Sequence, residues 1–164
     1  MDVLQVSLFS ATLLTGLIAG LFYSYSCSVN LGLAKLRDVE YLKAMKSINK
    51  AILNPWFFLS FMGSLVAIPL STTLYYYTTG IDASFYLLVS ASVTYIVGVF
   101  GVTIRGNVPL NEELDSFNIE LAAIADITLK RTSFESPWNK FHFVRSIANV
   151  AAFVFLLFAI IIKS

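Results

Sequence analysis

Four apolar stretches, each long enough to cross a bilayer, constrain this chain more than any other feature. They cover residues 3–33, 56–77, 85–104 and 138–162, and a hydrocarbon core about 30 Å thick is crossed by about 20 helical residues. Within lipid every backbone N–H and C=O has to be bonded inside the segment, so runs of this length read as helices. The rest of the composition agrees, since only 13% of the 164 residues are charged and 57% are hydrophobic, too few charges to coat a soluble domain. The expected fold is all-α. It is a membrane-embedded four-helix bundle forming one domain over residues 1–164, with two extra amphipathic or loop helices on its cytoplasmic side.

The first stretch begins directly after Met1-Asp2 without a basic leader, unlike a cleaved signal. Gly16 and Gly20 give it a small-xxx-small pattern, and Tyr23, Cys27 and Asn30 share one face near its far end. Asp38 reads as the N-cap of an amphipathic helix reaching about Leu53, with Tyr41, Met45, Ile48 and Ile52 as its apolar stripe. Lys43, Lys46 and Lys50 form the opposite stripe, read as a solvated face at headgroup level. Asn54-Pro55 is a cap followed by proline, opening the second span. Pro69 predicts a kink there, and Tyr75, Tyr76 and Tyr77 an aromatic belt before a short turn over 78–84. In the third span Thr94, Gly98, Gly101 and Arg105 fall on one face, which carries Arg105 to the bundle end. Residues 106–111 read as a loop. Asn111 then caps a polar helix reaching Arg131, with Leu114, Phe117, Leu121 and Ile124 as its buried stripe, and Ser136-Pro137 opens the fourth span.

Basic residues set the orientation. Lys35, Arg37, Lys43, Lys46 and Lys50 lie in the first connection and Arg105, Lys130, Arg131 and Lys140 in or beside the third, while the second has none. The positive-inside rule then gives a multi-pass protein of the cell membrane with both large loops in the cytoplasm and both termini outside. Asn30, Asn54, Arg105, Asn107, Asn111, Asn139, His142 and Arg145 all gather at the cytoplasmic end.

Chemistry concentrates in the segment WNKFHFVRSIAN, residues 138–149, where Trp138, His142, Arg145 and Asn149 share one helical stripe with Asn139 at its margin. Charged and amide groups at membrane depth are kept only facing other helices or a wet pocket. A neutral imidazole there accepts a proton, guanidinium groups stabilise an oxyanion or enolate, and asparagine amides orient a substrate. Glu135 is the nearest carboxylate available to fix the imidazole tautomer. The spacing is equally met by a polar cap that seals the helix ends, with His142 simply hydrogen-bonded. Other chemistries drop out. The single cysteine, Cys27, rules out an intrachain disulfide, zinc fingers and cysteine-held clusters. One histidine makes a protein-held metal a weak prospect, and a net charge of +1 gives no support for a nucleic-acid partner.

Several short blocks taken together carry a resemblance. Ser28-Val-Asn30, Asn54-Pro55-Trp56-Phe57, Asn107-Val-Pro-Leu-Asn111, and Phe134-Glu135 followed by Trp138-Asn139-x-x-His142-x-x-Arg145 resemble the anthrone oxygenase-like family of small four-span membrane proteins. The resemblance implies four transmembrane helices and, for members with an assigned activity, oxidation of an anthrone to an anthraquinone by dioxygen without metal or flavin. On that reading His142 is the base, and Arg145 and Arg105 hold the enolate oxygen. Asn30, Asn107, Asn111 and Asn139 face the phenolic groups, and Trp138 stacks on the rings. The partners expected are a small hydrophobic aromatic ligand and the lipid bilayer. Two alternatives stay open. One is a non-enzymatic protein binding a quinone, a lipid or a haem, with His142 as axial ligand in the haem case. The other is a structural or assembly protein that oligomerises with its own copies through Gly16/Gly20 or Gly98/Gly101.

Overall fold

Long apolar segments become long helices here, joined by connections that the sequence caps with polar side chains. The computed structural model describes residues 2–163. In chain order the helices are α1 Val3–Leu33, α2 Asp38–Ala51, α3 Pro55–Thr78, α4 Ala83–Ser116 and α5 Ile124–Lys163. All but α2 are long and apolar enough to cross a membrane. They form an up-down-up-down bundle in which α1 packs on α3 and α5, and α4 packs on the same two helices. This is the membrane-compatible all-α bundle expected.

Each start has a local cause. Asp2 accepts from the amide of Gln5 at 2.7 Å while the Gln5 side chain accepts from the Asp2 amide, closing a capping box on α1. Asn54 Oδ1 accepts from the amides of Trp56 and Phe57, both at 3.1 Å, with Pro55 in the first turn of α3. Asp82 does the same for Phe85 at 2.9 Å, and the tight turn before it uses Gly80 at φ +99°. Tyr75 departs from the expected aromatic belt. Tyr76 and Tyr77 are exposed, but Tyr75 is buried and its hydroxyl donates to Asp82 Oδ2 at 2.8 Å, tying α3 to the turn. Helix α3 runs unbroken through Pro69.

Three boundaries differ from the sequence reading. Residues 106–111 are helical, because α4 widens into π turns over Thr94–Gly101 and Thr103–Asn107 and runs on to Ser116, with Pro109 in the first turn of that last α segment. The polar helix expected over 112–131 is instead broken after Ser116, where Phe117 turns extended; Leu114 is buried, but Leu121 and Ile124 are exposed. Pro137 lies inside α5 instead of at a helix start. The carbonyl it cannot serve belongs to exposed Ser133, where water can take the bond.

Two apolar cores result. One fills the bundle, with Ile18, Phe22, Phe61, Ile68, Leu88, Tyr95, Val99 and Leu156 among its members. The other lies under α2 and the α4–α5 connector, with Tyr41, Leu42, Met45, Leu114, Ile127, Phe134 and Trp138. Two sets of charges fasten this cap. Lys43 pairs with Glu120 at 2.6 Å, Lys50 with Asp115 at 3.1 Å, and Lys46 donates to the carbonyls of Asp115 and Phe117. The lysine stripe thus grips the connector and is not a merely solvated face. Arg131 is the second fastening: it donates to the carbonyls of Ala34 and Leu36, pairs with Asp38 at 3.0 Å and Glu135 at 2.8 Å, and lies 4.5 Å over the ring of Tyr41. Asp38 therefore is not the N-cap of α2, a position held by Arg37. Its carboxyl accepts from Thr128 at 2.6 Å and from Arg131, and these bonds hold it below the usual carboxylate range.

Gly16 and Gly98 serve contacts within the chain. A Cβ at Gly98 would lie 2.6 Å from that of Ala148 on α5, and one at Gly16 would lie 2.9 Å from the Phe153 ring, so α4 and α1 both approach α5 closely. Gly20 faces open space.

Candidate functional site

At the end of the bundle that carries both large connections, the two cores do not quite meet. Between them lies a cavity of about 110 Å³. Phe22, Thr103, His142 and Arg145 wall it on the bundle side, Trp138, Asn111, Asn49 and Ile48 on the cap side, and Tyr25 and Asn107 at the waist. Leu21, Ile52, Leu53 and Phe57 form one margin.

The expected stripe on α5 is real as a face. Trp138, His142, Arg145 and Asn149 are all buried, and the first three line the cavity. The His142 ring stacks on Trp138 with centroids 5.1 Å apart and planes 13° apart, while Phe22 and Tyr25 meet it edge-on. Its Nδ1 faces Arg145, which approaches through Nε at 3.4 Å and Nη2 at 3.3 Å. A guanidinium only donates, so Nδ1 is the acceptor. The proton of the neutral ring therefore sits on Nε2, which lies 3.0 Å from Ser26 Oγ and 3.4 Å from Ser146 Oγ.

Arg145 is the unusual group. It is buried, its Nη1 donates to Thr103 Oγ1 at 3.3 Å, and its carbon lies 4.4 Å from the centroid of Phe22 and 5.4 Å from that of Trp138. No ion pair among the described residues includes it. A buried cation is ordinarily kept by a carboxylate, and here only aromatic faces and long neutral hydrogen bonds attend it. Asn111 Oδ1 accepts from Trp138 Nε1 at 2.8 Å and from Asn49 Nδ2 at 3.0 Å, which holds the indole flat along one wall. Asn107 donates to the carbonyl of Trp138 at 3.2 Å and keeps a buried, unpartnered Oδ1. One turn deeper, both amide atoms of Asn149 are buried without a partner.

Four other residues expected at the site lie elsewhere. Arg105 is exposed and outside the cavity lining, so the imidazole meets one guanidinium and not two. The π stretch over Thr94–Gly101 precedes it: an inserted residue rotates the downstream side chains by about 100°, so the inward face runs through Tyr95, Val99, Thr103 and, across a second π turn over Thr103–Asn107, Gly106 and Asn107 instead. The π turn over Tyr25–Val29 acts likewise in α1. Tyr25 and Ser26 reach the site, Tyr23 and Cys27 face outward, and Asn30 is half-buried beyond the lining. Asn139 opens onto an outer groove with Asp38, Arg131, Glu135 and Lys140. Glu135 bonds Arg131 and leaves the imidazole to Ser26, Ser146 and Arg145.

Phe22, Tyr25, Ser26, Asn49, Thr103 and Ser146 are members of the site that the sequence reading passed over. Only Asn49 carried a usable signal, one turn after Met45 on a helix already known to be amphipathic. Among the described residues no group of three His, Cys, Asp or Glu side chains is placed to hold a metal ion.

A search of curated proteins and one of solved structures return no match to the chain. A family model does match: it takes in α3, α4 and most of α5, and with them Thr103, Asn107, Asn111, Trp138, His142 and Arg145, whereas α1 and α2 lie before it. On that match over residues 56–155, the chain belongs to the anthrone oxygenase family.

Proposed function

We propose that this membrane protein of the anthrone oxygenase family oxidises a hydrophobic, acidic aromatic of anthrone or quinol type, with dioxygen as the co-substrate. The observation that carries the reading is Arg145, a buried guanidinium with no carboxylate, set at the wall of a cavity between aromatic faces. Such a cation favours an anion arriving from outside, and an enolate or phenolate oxygen is the anion that an oil-soluble acidic aromatic supplies. Protonation chemistry sits beside it. When the substrate oxygen takes over the guanidinium donors, the Nδ1 lone pair of His142 is released and can accept the substrate proton, while Ser26 keeps the ring oriented through Nε2.

The step balances for an anthrone. Removal of one proton from its CH2 gives a carbanion delocalised onto the oxygen held by Arg145. That anion passes one electron to dioxygen, and the resulting carbon radical and superoxide combine to form a C–O bond. Protonation of the peroxide gives a hydroperoxide. Loss of the second C–H proton, with cleavage of O–O and departure of water, leaves the new C=O. One oxygen atom ends in the quinone and the other in water. Trp138 stacks on the rings, and Asn107, with its free Oδ1, accepts from a phenolic O–H.

The orientation that suits this reading has both termini outside and the cavity end in the cytoplasm, supported by Lys35, Arg37, Lys43, Lys46 and Lys50 in the first connection and the lack of basic residues in the second. The test is dioxygen uptake by purified protein with an anthrone, in the presence of a metal chelator. Loss of about 10²-fold or more is expected in His142→Ala, a comparable loss in Arg145→Gln, and an unchanged rate in Arg105→Gln. Unchanged turnover in His142→Ala would place the base elsewhere, and turnover that needs Arg105 and not Arg145 would overturn the reading.

A further inference from the structure

We infer that Asn149 is a catalytic residue of this site, whose amide receives the oxygen co-substrate once it is reduced and holds the hydroperoxide that follows. This rests on the proposed oxidation by dioxygen and names the residue that handles the oxygen half of it.

Asn149 is fully buried, and neither its Nδ2 nor its Oδ1 has a hydrogen-bond partner. Among the described residues its Nδ2 is the only buried side-chain nitrogen left without one. An amide bonded at neither end, inside a helix that spans lipid, is a standing cost to the fold. Its neighbours along α5, Ala148 and Ala152, belong to the apolar core. A leucine there would bond as little and bury apolar surface instead, so packing does not account for the amide.

Its place on α5 relates it to the site. Asn149 follows Arg145 by four residues, so the two side chains share a face. A helical Cα–Cβ bond leans toward the N-terminus, which on α5 is the direction of Arg145 and the cavity. The guanidinium is already engaged, through Nε and Nη2 with His142 and through Nη1 with Thr103. The next polar group along the stripe is the Asn149 amide.

The reaction requires a second place for charge. When His142 takes the CH2 proton, the carbanion carries its charge on the oxygen held by Arg145. One electron then passes to dioxygen; the ring is left a neutral radical and the charge belongs to superoxide, whose oxygens need a donor of their own. Nδ2 of Asn149 is that donor. Radical and superoxide join in a C–O bond, and the peroxide anion takes back the proton held on His142. The hydroperoxide presents an acceptor and a donor side by side, the complement of a carboxamide: Nδ2 donates to oxygen and Oδ1 accepts from the O–H. Asn107 and Asn139 each leave only an Oδ1 unpartnered, which cannot serve the anion.

The test uses the full chain in lipid nanodiscs with an anthrone in air, and compares wild type with Asn149→Leu and Asn149→Ala. Three quantities are read: kcat and KM from quinone formation, superoxide from reduction of cytochrome c, and the unfolding temperature without substrate. Both variants should lose about 10²-fold in kcat, the effect of removing one donor to a developing oxyanion. KM for the anthrone should stay as in wild type, because the amide meets the oxygen and not the rings. The share of consumed dioxygen released as superoxide should rise, since the reduced oxygen is no longer held until it combines. At least one variant should unfold at or above the wild-type temperature, because an amide that bonds nothing has been removed. Wild-type kcat in both variants, a raised KM in place of a lowered kcat, or a lower unfolding temperature in both would overturn the inference and leave the proposed oxidation standing. Absence of quinone formation by the wild type would overturn both.

Discussion

Arg145 points its guanidinium at Nδ1 of His142, from Nε at 3.4 Å and Nη2 at 3.3 Å, and so dictates which nitrogen of the only histidine carries the proton. Because an arginine cannot accept, the resting ring is the Nε2–H tautomer, with Ser26 Oγ 3.0 Å from that nitrogen. A single histidine makes this directly observable. Protein labelled with 15N-histidine should give one imidazole, Nδ1 resonating as an acceptor and Nε2 as a protonated nitrogen. In Arg145→Leu a mixture of tautomers is expected, and a wild-type ring protonated on Nδ1 would refute the arrangement.

Arg131 fastens the cap. It satisfies two carbonyls just past the end of α1, at Ala34 and Leu36, and pairs with Asp38 at the start of α2 and Glu135 on its own helix. Its side chain is 15% exposed, so these bonds are only partly screened by water. Arg131→Met should destabilise the protein by about 1.5–3 kcal/mol, the range for hydrogen bonds to a charged group. Arg131→Lys should recover little, since an ammonium offers no planar fork to four partners. Thermal unfolding in detergent measures both, and a stability equal to wild type in Arg131→Met would contradict the role.

The same fastening makes the cap sensitive to acid. The bonds from Thr128 and Arg131 lower the proton affinity of Asp38 in the folded state, so its contribution is complete at neutral pH. It is lost as pH falls through the folded carboxyl's range, below the ordinary value of about 4. Protease cleavage around residues 34–38 should therefore rise as pH drops below about 4, and Asp38→Asn should show elevated cleavage already at neutral pH with a flatter profile. A profile identical in the two proteins would exclude Asp38 as the sensor.

Close packing of α4 on α5 gives a contrast between two glycines. Gly98→Leu would drive its Cβ to 2.6 Å from that of Ala148, and overpacking of this kind costs about 1–3 kcal/mol. Gly20→Leu meets nothing within 4 Å and should leave stability unchanged. Equal effects at the two positions would mean that the glycines serve contacts other than these.

Much of the frame was legible because it depends on run length and capping chemistry. The apolar stretches had to be helices, and Asn54 caps where a short polar side chain followed by proline and an apolar run predicts. The stripe of Trp138, His142, Arg145 and Asn149 also survived, since α5 is helical throughout that segment. What failed was angular register in α1 and α4. π turns leave no mark in composition, yet they exchange Arg105 for Thr103 and Asn107 in α4, and Asn30 for Tyr25 and Ser26 in α1. Pro137 misled for the opposite reason, being a strong breaker signal at a place where an exposed helix tolerates the lost bond.

The unpaired Arg145 is, on this account, a seat for an oxyanion, and the ionisation of a bound chromophoric phenol measures that role most directly. Titrated by absorbance in nanodiscs, a nitrophenol bound to the protein should form its phenolate about 1–3 pH units below the value in empty nanodiscs, as expected beside a buried cation. That displacement should vanish in Arg145→Gln and persist in Arg105→Gln. A bound phenol that titrates as it does in lipid alone, or identically in wild type and Arg145→Gln, would contradict the account.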